Sequence, residues 1–331
     1  MGKDKQISPP GLPLFEGISH FKANNSFDSL PQTLGRVLHT AEEISRDPRP
    51  EQVDFLHAVL CQVGMPRKQV VGRTFERNNG AVSVVLEAGR LYQRGRWVDM
   101  PLPYGTRPRL VMVYISSEAI RTKSRTVEIG ESVYEFLKKL NIDPSGGPRG
   151  GYTMFKKQME ALVACRMNLG FSLPDRDITV NTQPISRFEA WVVTQGPERP
   201  LWPGVLDLSQ EFFDTLTAHA VPLDHRALCA LKHSALALDI YAWLAHRLCR
   251  IAEPGGIRLS WKNFKEQFGQ EYKDDRNFKK SFLKSLRQVH AVYPDAKLEQ
   301  MPSGFILKPS PPPIQKRQVL LPPKKSFPSC G

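Results

Sequence analysis

The chain has 331 residues, 40% of them hydrophobic and 24% charged, which is enough to bury two cores of ordinary size. Lys and Arg number 46 against 33 Asp and Glu, a formal charge of +13 that favours polyanionic partners, nucleic acid first. Five scattered cysteines, never in CxxC, argue for a reducing compartment and against a zinc ribbon, and no stretch approaches the length of a membrane span.

Residues 1–48 are polar, carry Pro9, Pro10 and Pro13 and show little periodicity, so they read as a flexible arm. The opening MGKDKQISPPGLPLF lacks an apolar core of signal-peptide length, which fits a cytoplasmic protein. From Glu51, the positions of Phe55, Leu56, Val59, Leu60 and Val63 predict a short amphipathic helix ending at Gly64 and Pro66. Residues 83–92 and 97–102 read as two strands joined at Gly95. Together, residues 49–104 are expected to cap the module that follows, a structural role preferred to a direct DNA contact.

Residues 105–196 have the element order of a winged helix-turn-helix. A helix is predicted from Thr106 as cap, with Pro108 in its first turn, through about Arg121. The spacing of Leu110, Val113, Tyr114, Ser117 and Ile120 favours helix over strand there. A short strand over 126–129 ends at Gly130, and Ser132 with Glu135 makes a capping box for a helix carrying Val133, Phe136, Leu137 and Leu140. Asn141, Pro144 and Gly146-Gly147 stop it. Gly150-Gly151 leads into a third helix with Thr153 as cap, Phe155, Met159, Leu162 and Val163 inward, and Lys156 and Lys157 elsewhere. Residues 178–181 and 185–193 alternate as strands of a wing, and the breakers Gly196-Pro197 and 200–204 mark a linker.

The pattern returns in residues 197–308. A strand over 205–208 precedes a helix capped by Ser209, and residues 224–250 are helical in two pieces that part near His233-Ser234. A strand over 257–259 leads to a helix capped by Ser260, with Trp261, Phe264 and Phe268 inward, that ends at Gly269. Beyond Asp274 and Asp275, Phe278, Phe282, Leu286 and Val289 share one side of a long helix; Arg276, Lys280, Lys284 and Arg287 share the other, with Lys279 on the flank. Residues 297–300 and 305–308 would form the second wing, and the Pro-rich basic tail 309–331 is expected to be disordered. The fold class expected is α+β, two tandem winged-helix domains between flexible tails.

A helix that enters a major groove needs basic and short polar side chains on its exposed face, and its first amides favour phosphate. The candidate DNA-binding residues are therefore Arg149, Thr153, Lys156 and Lys157 in the first module, and Lys262, Arg276, Asn277, Lys279, Lys280, Lys284 and Arg287 in the second. One basic helix face is often merely solvated; two at the same position of similar modules favour DNA. Arg149, in GGPRGG, reads equally as a phosphate or base contact and as an exposed loop charge. Glu160 could accept from a cytosine amino group, but pairing with Lys156 one turn away is preferred. No GxxxxGK[ST] occurs and no HxH pair, which speaks against a P-loop ATPase and a nickase. His225 and His233 with Asp224 and Asp239 read as packing or capping groups rather than metal ligands. No cofactor and no enzymatic activity are expected.

Four stretches carry a specific likeness: LEAGRLY at 86–92, PLPYGTRPRLVMVYISSEAIRTKS at 101–124, IGESVYEFLKKLNI at 129–142 and ALDIYAWLAHRL at 237–248. Together the chain resembles the RepA-type plasmid replication initiator family of bacteria over roughly residues 50–308. That resemblance implies an initiator that binds repeated double-stranded sites (iterons) at a plasmid origin, helps to open an adjacent A·T-rich segment, and recruits the host initiator and replicative helicase. It also implies a shift between dimers that repress and monomers that initiate, with copy-number control as the consequence. The alternatives are a repressor without initiation activity and, further off, a DNA nickase.

Overall fold

The computed structural model describes residues 32–187 and 204–315, apart from residues 94, 131, 146, 148, 149 and 173. Helices and strands are mixed throughout, as an α+β chain requires, and one apolar core runs from Val37 to Leu307.

The chain enters with helix α1 (Gln32–Arg46), where a flexible arm was expected. Val37, Leu38, Ala41 and Ile44 are buried on one face of it, and the helix packs on two later helices, α7 (His225–Leu231) and α10 (Asp275–Val292). Its apolar stripe is diluted by polar neighbours, so only the distant partners make it a stable helix. The helix predicted from Glu51 is likewise half strand: β1 (Val53–His57) precedes α2 (Ala58–Val63). β1 pairs antiparallel with β11 (Ala220–Asp224), Val53 opposite Asp224 and His57 opposite Ala220. The Ser117 hydroxyl also accepts the Phe55 N–H at 2.8 Å. A partner so far along the chain leaves no trace in local periodicity.

β2 (Thr74–Asn79) and β3 (Val82–Glu87) form a sheet with β7 (Arg166–Ser172) and β8 (Asp177–Thr182) in the order β2-β3-β7-β8. A separate hairpin, β4 (Arg90–Gln93) with β5 (Arg96–Asp99), turns at Gly95 as expected. At Gly89, a Cβ would lie 2.0 Å from the Ala164 carbonyl oxygen, so the chain between β3 and the hairpin presses directly on the end of a helix.

That helix is α5 (Gly151–Ala164), third in a group with α3 (Thr106–Thr122) and α4 (Val133–Lys139). LVMVYI is helical, with Val111, Met112 and Ile115 fully buried. Gly105, rather than Thr106, is the cap residue of α3. Ser132 caps α4 as predicted, accepting the Glu135 N–H at 3.1 Å. Between α3 and α4, β6 (Thr126–Glu128) joins β10 (Val205–Leu208) and β9 (Ile185–Arg187) in a three-stranded sheet. The hairpin after α5 is thus β7 with β8, a partner different from the expected 185–193; residues 188–193 lie outside the described residues.

The second half follows its sequence signals closely. Ser209 caps α6 (Gln210–His219), and Ser234 separates α7 from α8 (Ala235–Arg247), accepting the Ala237 N–H at 3.1 Å. β12 (Ile257–Ser260) leads into α9 (Trp261–Phe268), where Ser260 and Asn263 form a reciprocal capping box. Then come α10, β13 (Leu298–Met301) and β14 (Gly304–Leu307), with the sheet order β12-β14-β13. Phe264 and Phe282 rings lie 4.8 Å apart, with Trp261 edge-on to Phe282 and Phe305, so α9, α10 and the hairpin share one aromatic core. Residues 309–315, expected as disordered tail, are packed: Ile314 is buried and the Tyr293 hydroxyl donates to the Pro311 carbonyl at 2.6 Å.

Candidate nucleic-acid interface

Helix α10 owes its face to simple periodicity. Phe278, Phe282, Leu286 and Val289 are buried, while Arg276, Lys280, Lys284 and Arg287, at i, i+4, i+8 and i+11, are exposed on the other side. At the helical rise this row of cations is about 16 Å long. Among the described residues, none of the four has a carboxylate partner. The acids at the helix start are occupied: Asp274 caps α10 by accepting the Arg276 N–H at 2.9 Å, and Asp275 pairs with Lys265. Asn277 and Lys262 are exposed nearby in sequence, and the Lys279 ammonium sits 4.6 Å from the Trp261 ring centre. An unneutralised row of this kind offers charge-assisted hydrogen bonds to a phosphate backbone.

Helix α5 is different. Its cap is Gly150, and Thr153 lies inside the helix, its hydroxyl donating to the Gly147 carbonyl at 2.8 Å. Thr153 therefore ties down the preceding loop instead of capping. That loop closes tightly: a Cβ on Gly151 would fall 1.8 Å from the Asp143 carbonyl oxygen. Lys156 is half-buried and 3.9 Å from Glu160, the intrahelical pairing preferred from the sequence. Glu160 also accepts from Gln93 at 3.3 Å, and burial raises its carboxyl above the usual range despite Lys156. Lys157 is exposed, and Arg149 lies outside the described residues. The two helices are accordingly unequal, α10 carrying the longer free cationic face.

Sequence reasoning missed the polar centre that joins the two halves. Asp239, on α8, accepts Arg109 Nε at 2.7 Å and Nη2 at 2.9 Å, and Arg67 Nη1 at 3.2 Å. Arg109, on α3, also donates to the Pro66, Gly105 and Met65 carbonyls. Arg67 continues to Glu271 at 3.2 Å and to the Phe268 carbonyl at the end of α9, and Arg77 of β2 approaches Glu271 at 3.6 Å. Burial alone would raise the Asp239 carboxyl; the arginines, Arg109 foremost, outweigh it and hold the group below its ordinary value. The available signal was a lone acid inside the apolar run ALALDIYAWLA and an arginine opening another. Gln158, also missed, is buried on α5 and accepts the Tyr104 N–H at 2.7 Å, holding the same segment from the other side.

The histidines and acids read as packing groups take such roles. Asp224 caps α7, accepting the Arg226 N–H at 2.9 Å. His225 bridges Asp54 at 2.7 Å and the Cys229 sulfur at 3.3 Å; burial alone would lower its pKa, but these partners raise it to about 10. Among the described residues no group of three or more His, Cys, Asp or Glu is placed to hold a metal ion. Nor is any described helix long and apolar enough to cross a membrane.

Fold and surface together define a mixed α+β protein with a cationic helix face suited to a polyanion. Residues 102–263 match the family model of plasmid-encoded RepA protein. That match bears out the likeness to RepA-type plasmid replication proteins read from the sequence, and it spans most of the segments that carry the likeness. The solved structure of domains 2 and 3 of RctB, a selenomethionine derivative, is similar with a TM-score of 0.45 and 10% identity, over 76% of this chain and 96% of that chain. No curated protein matches.

Proposed function

We propose that the chain is a non-enzymatic, cytoplasmic plasmid replication initiator that binds repeated duplex sites at its origin through two winged-helix modules. In this reading it promotes opening of the neighbouring duplex and recruits the host initiator and helicase. The observation that carries the proposal is the exposed row Arg276, Lys280, Lys284 and Arg287 on α10, without a carboxylate partner among the described residues. The element order around it, strand, two helices and a hairpin, supports a winged-helix reading of the second module: α10 takes the groove and β13–β14 lies beside it. α5 would be the corresponding helix of the first module, with Lys157 as its free cation. The buried Arg109–Asp239 pair would fix the spacing between the two reading helices, as successive major grooves require.

The test is footprinting of the purified chain on DNA from around its own gene, across a salt series. Regularly spaced protection that persists at moderate salt is expected. Lys280→Ala should weaken binding uniformly and reduce the slope of log K against log salt by about one. Uniform, salt-labile coverage would reduce the interface to nonspecific charge and overturn the proposal.

A further inference from the structure

The β4–β5 hairpin carries an aromatic pair that the fold does not use. Its register sets Tyr92 opposite Trp97 and Arg90 opposite Asp99, so these four share one face. The other face is the one that packs: Leu91 joins the core, and Gln93 reaches Glu160 on α5. Tyr92 and Trp97 remain 57% and 66% exposed, among the most exposed large apolar side chains described, with ring centres 5.5 Å apart at 64°. A cross-strand pair steadies a hairpin, yet this one leaves both outer ring surfaces in water.

The surroundings of the pair are cationic. The hairpin borders an open cleft of about 780 Å³ whose lining includes Arg73, Arg90 and Arg166 as well as both rings. Asp99 accepts from Arg90 at 2.8 Å and lies 3.2 Å from Arg73, and so holds both at the cleft edge. Arg166 is exposed and has no carboxylate partner among the described residues, while Arg96, opposite Gln93, lies on the other face of the hairpin. Three arginines, Arg73, Arg90 and Arg166, thus face two carboxylates, Asp99 and Glu87, around the exposed rings.

Exposed aromatic faces bordered by arginines are the chemistry that holds unpaired nucleotides: bases stack on the rings while the cations follow the backbone. A duplex offers no free base faces to stack, so the rings distinguish one strand from two. We infer that the β4–β5 hairpin and its cleft bind single-stranded DNA, with Trp97 and Tyr92 as the stacking platform and Arg73, Arg90 and Arg166 along the phosphates. The inference rests on the origin-opening reading above and locates where an opened strand is held. Gln93–Glu160 ties this platform to α5.

The test compares, by fluorescence anisotropy, the full chain binding to a labelled oligothymidylate of about 20 nucleotides and to origin duplex. The Tyr92→Ala/Trp97→Ala double variant should bind the single strand at least about tenfold more weakly, with duplex affinity unchanged. Trp97→Phe keeps a ring and should lose less; it should also abolish a tryptophan-emission quench that the single strand produces in the parent chain. No single-strand binding by the parent, unchanged affinity in the double variant, or equal loss for both DNAs would overturn the inference. Trp97→Phe supplies the reading if the double variant misfolds. Failure of the origin footprint with the single-strand effect intact would sink the initiator reading alone; the reverse outcome would sink only this site.

Discussion

Replacing Asp239 with alanine should be among the most damaging single changes to this fold. The carboxylate is 8% exposed and stands against Arg109 and Arg67, at 7% and 5%, with Arg77 near them. Removing it loses three charge-assisted hydrogen bonds, between 2.7 and 3.2 Å, and leaves like charges buried together. Breaking a buried pair from one side costs about 3–5 kcal/mol, against roughly 5–15 kcal/mol of total stability for a typical domain. Arg109 would keep its bonds to the Pro66, Gly105 and Met65 carbonyls, so the segment leading into α3 stays tied while its charge is uncompensated. Denaturant unfolding followed by circular dichroism should show a lower midpoint at an unchanged slope. A loss below about 1 kcal/mol, the range of a solvated surface pair, would refute the argument that this centre joins the two halves.

Other expectations follow from single features. Phe282→Ala, fully buried among Phe264, Phe268, Phe278 and Trp261, should cost about 3–5 kcal/mol in the same unfolding assay. Ser260→Ala removes a capping box and should cost about 1 kcal/mol without changing the fold, read as a small midpoint shift. His225 titrates near 10 when folded and 6.5 when free, so the folded chain holds the extra proton between these values. Its contribution is complete below pH 6.5 and is lost as pH rises towards 10; His225→Asn should flatten that alkaline decline in midpoint. His57 and His246, lowered to about 4 by burial first and then by the neighbouring His219 ring and the Arg250 and Arg247 guanidiniums respectively, act oppositely and withdraw stability as pH falls from 6.5 to 4.

What was legible in the sequence was what is local. Ser132, Ser209 and Ser260 announce helix starts because a cap needs only its own next three residues, and the α10 stripe is visible because eighteen consecutive residues keep one period. What was not legible depends on distant partners. β1 looks helical until β11 pairs with it, and α1 looks like an arm until α7 and α10 cover its apolar side. Thr153 has the chemistry of a cap, but Gly151 can approach the loop where a side chain would clash, so the helix starts earlier, with Gly150 as its cap. For the candidate surface, residue type and spacing located the α10 cations on one exposed face. The Glu160–Lys156 pairing was legible too, from its i, i+4 spacing; spacing alone could not give that the α10 cations have no carboxylate partner among the described residues.

The position of the buried centre bears on what the family likeness means. YGTRPRL supplies Arg109 and ALDIYAWLAHRL supplies Asp239, so two of the stretches that carry the likeness meet in one ion pair. The matched segment, residues 102–263, ends before α10 begins at Asp275. The matched segment therefore takes in Arg109, Asp239 and α5, and leaves the longer cationic face outside. If the joint sets helix spacing, Arg109→Lys is the informative variant: it keeps the charge and loses the two-pronged grip on Asp239. Affinity for a paired-site duplex should fall more than affinity for a half-site, while the salt slope, set by phosphate contacts that remain, should stay constant. Equal loss on both DNAs would mean that the joint only stabilises the fold.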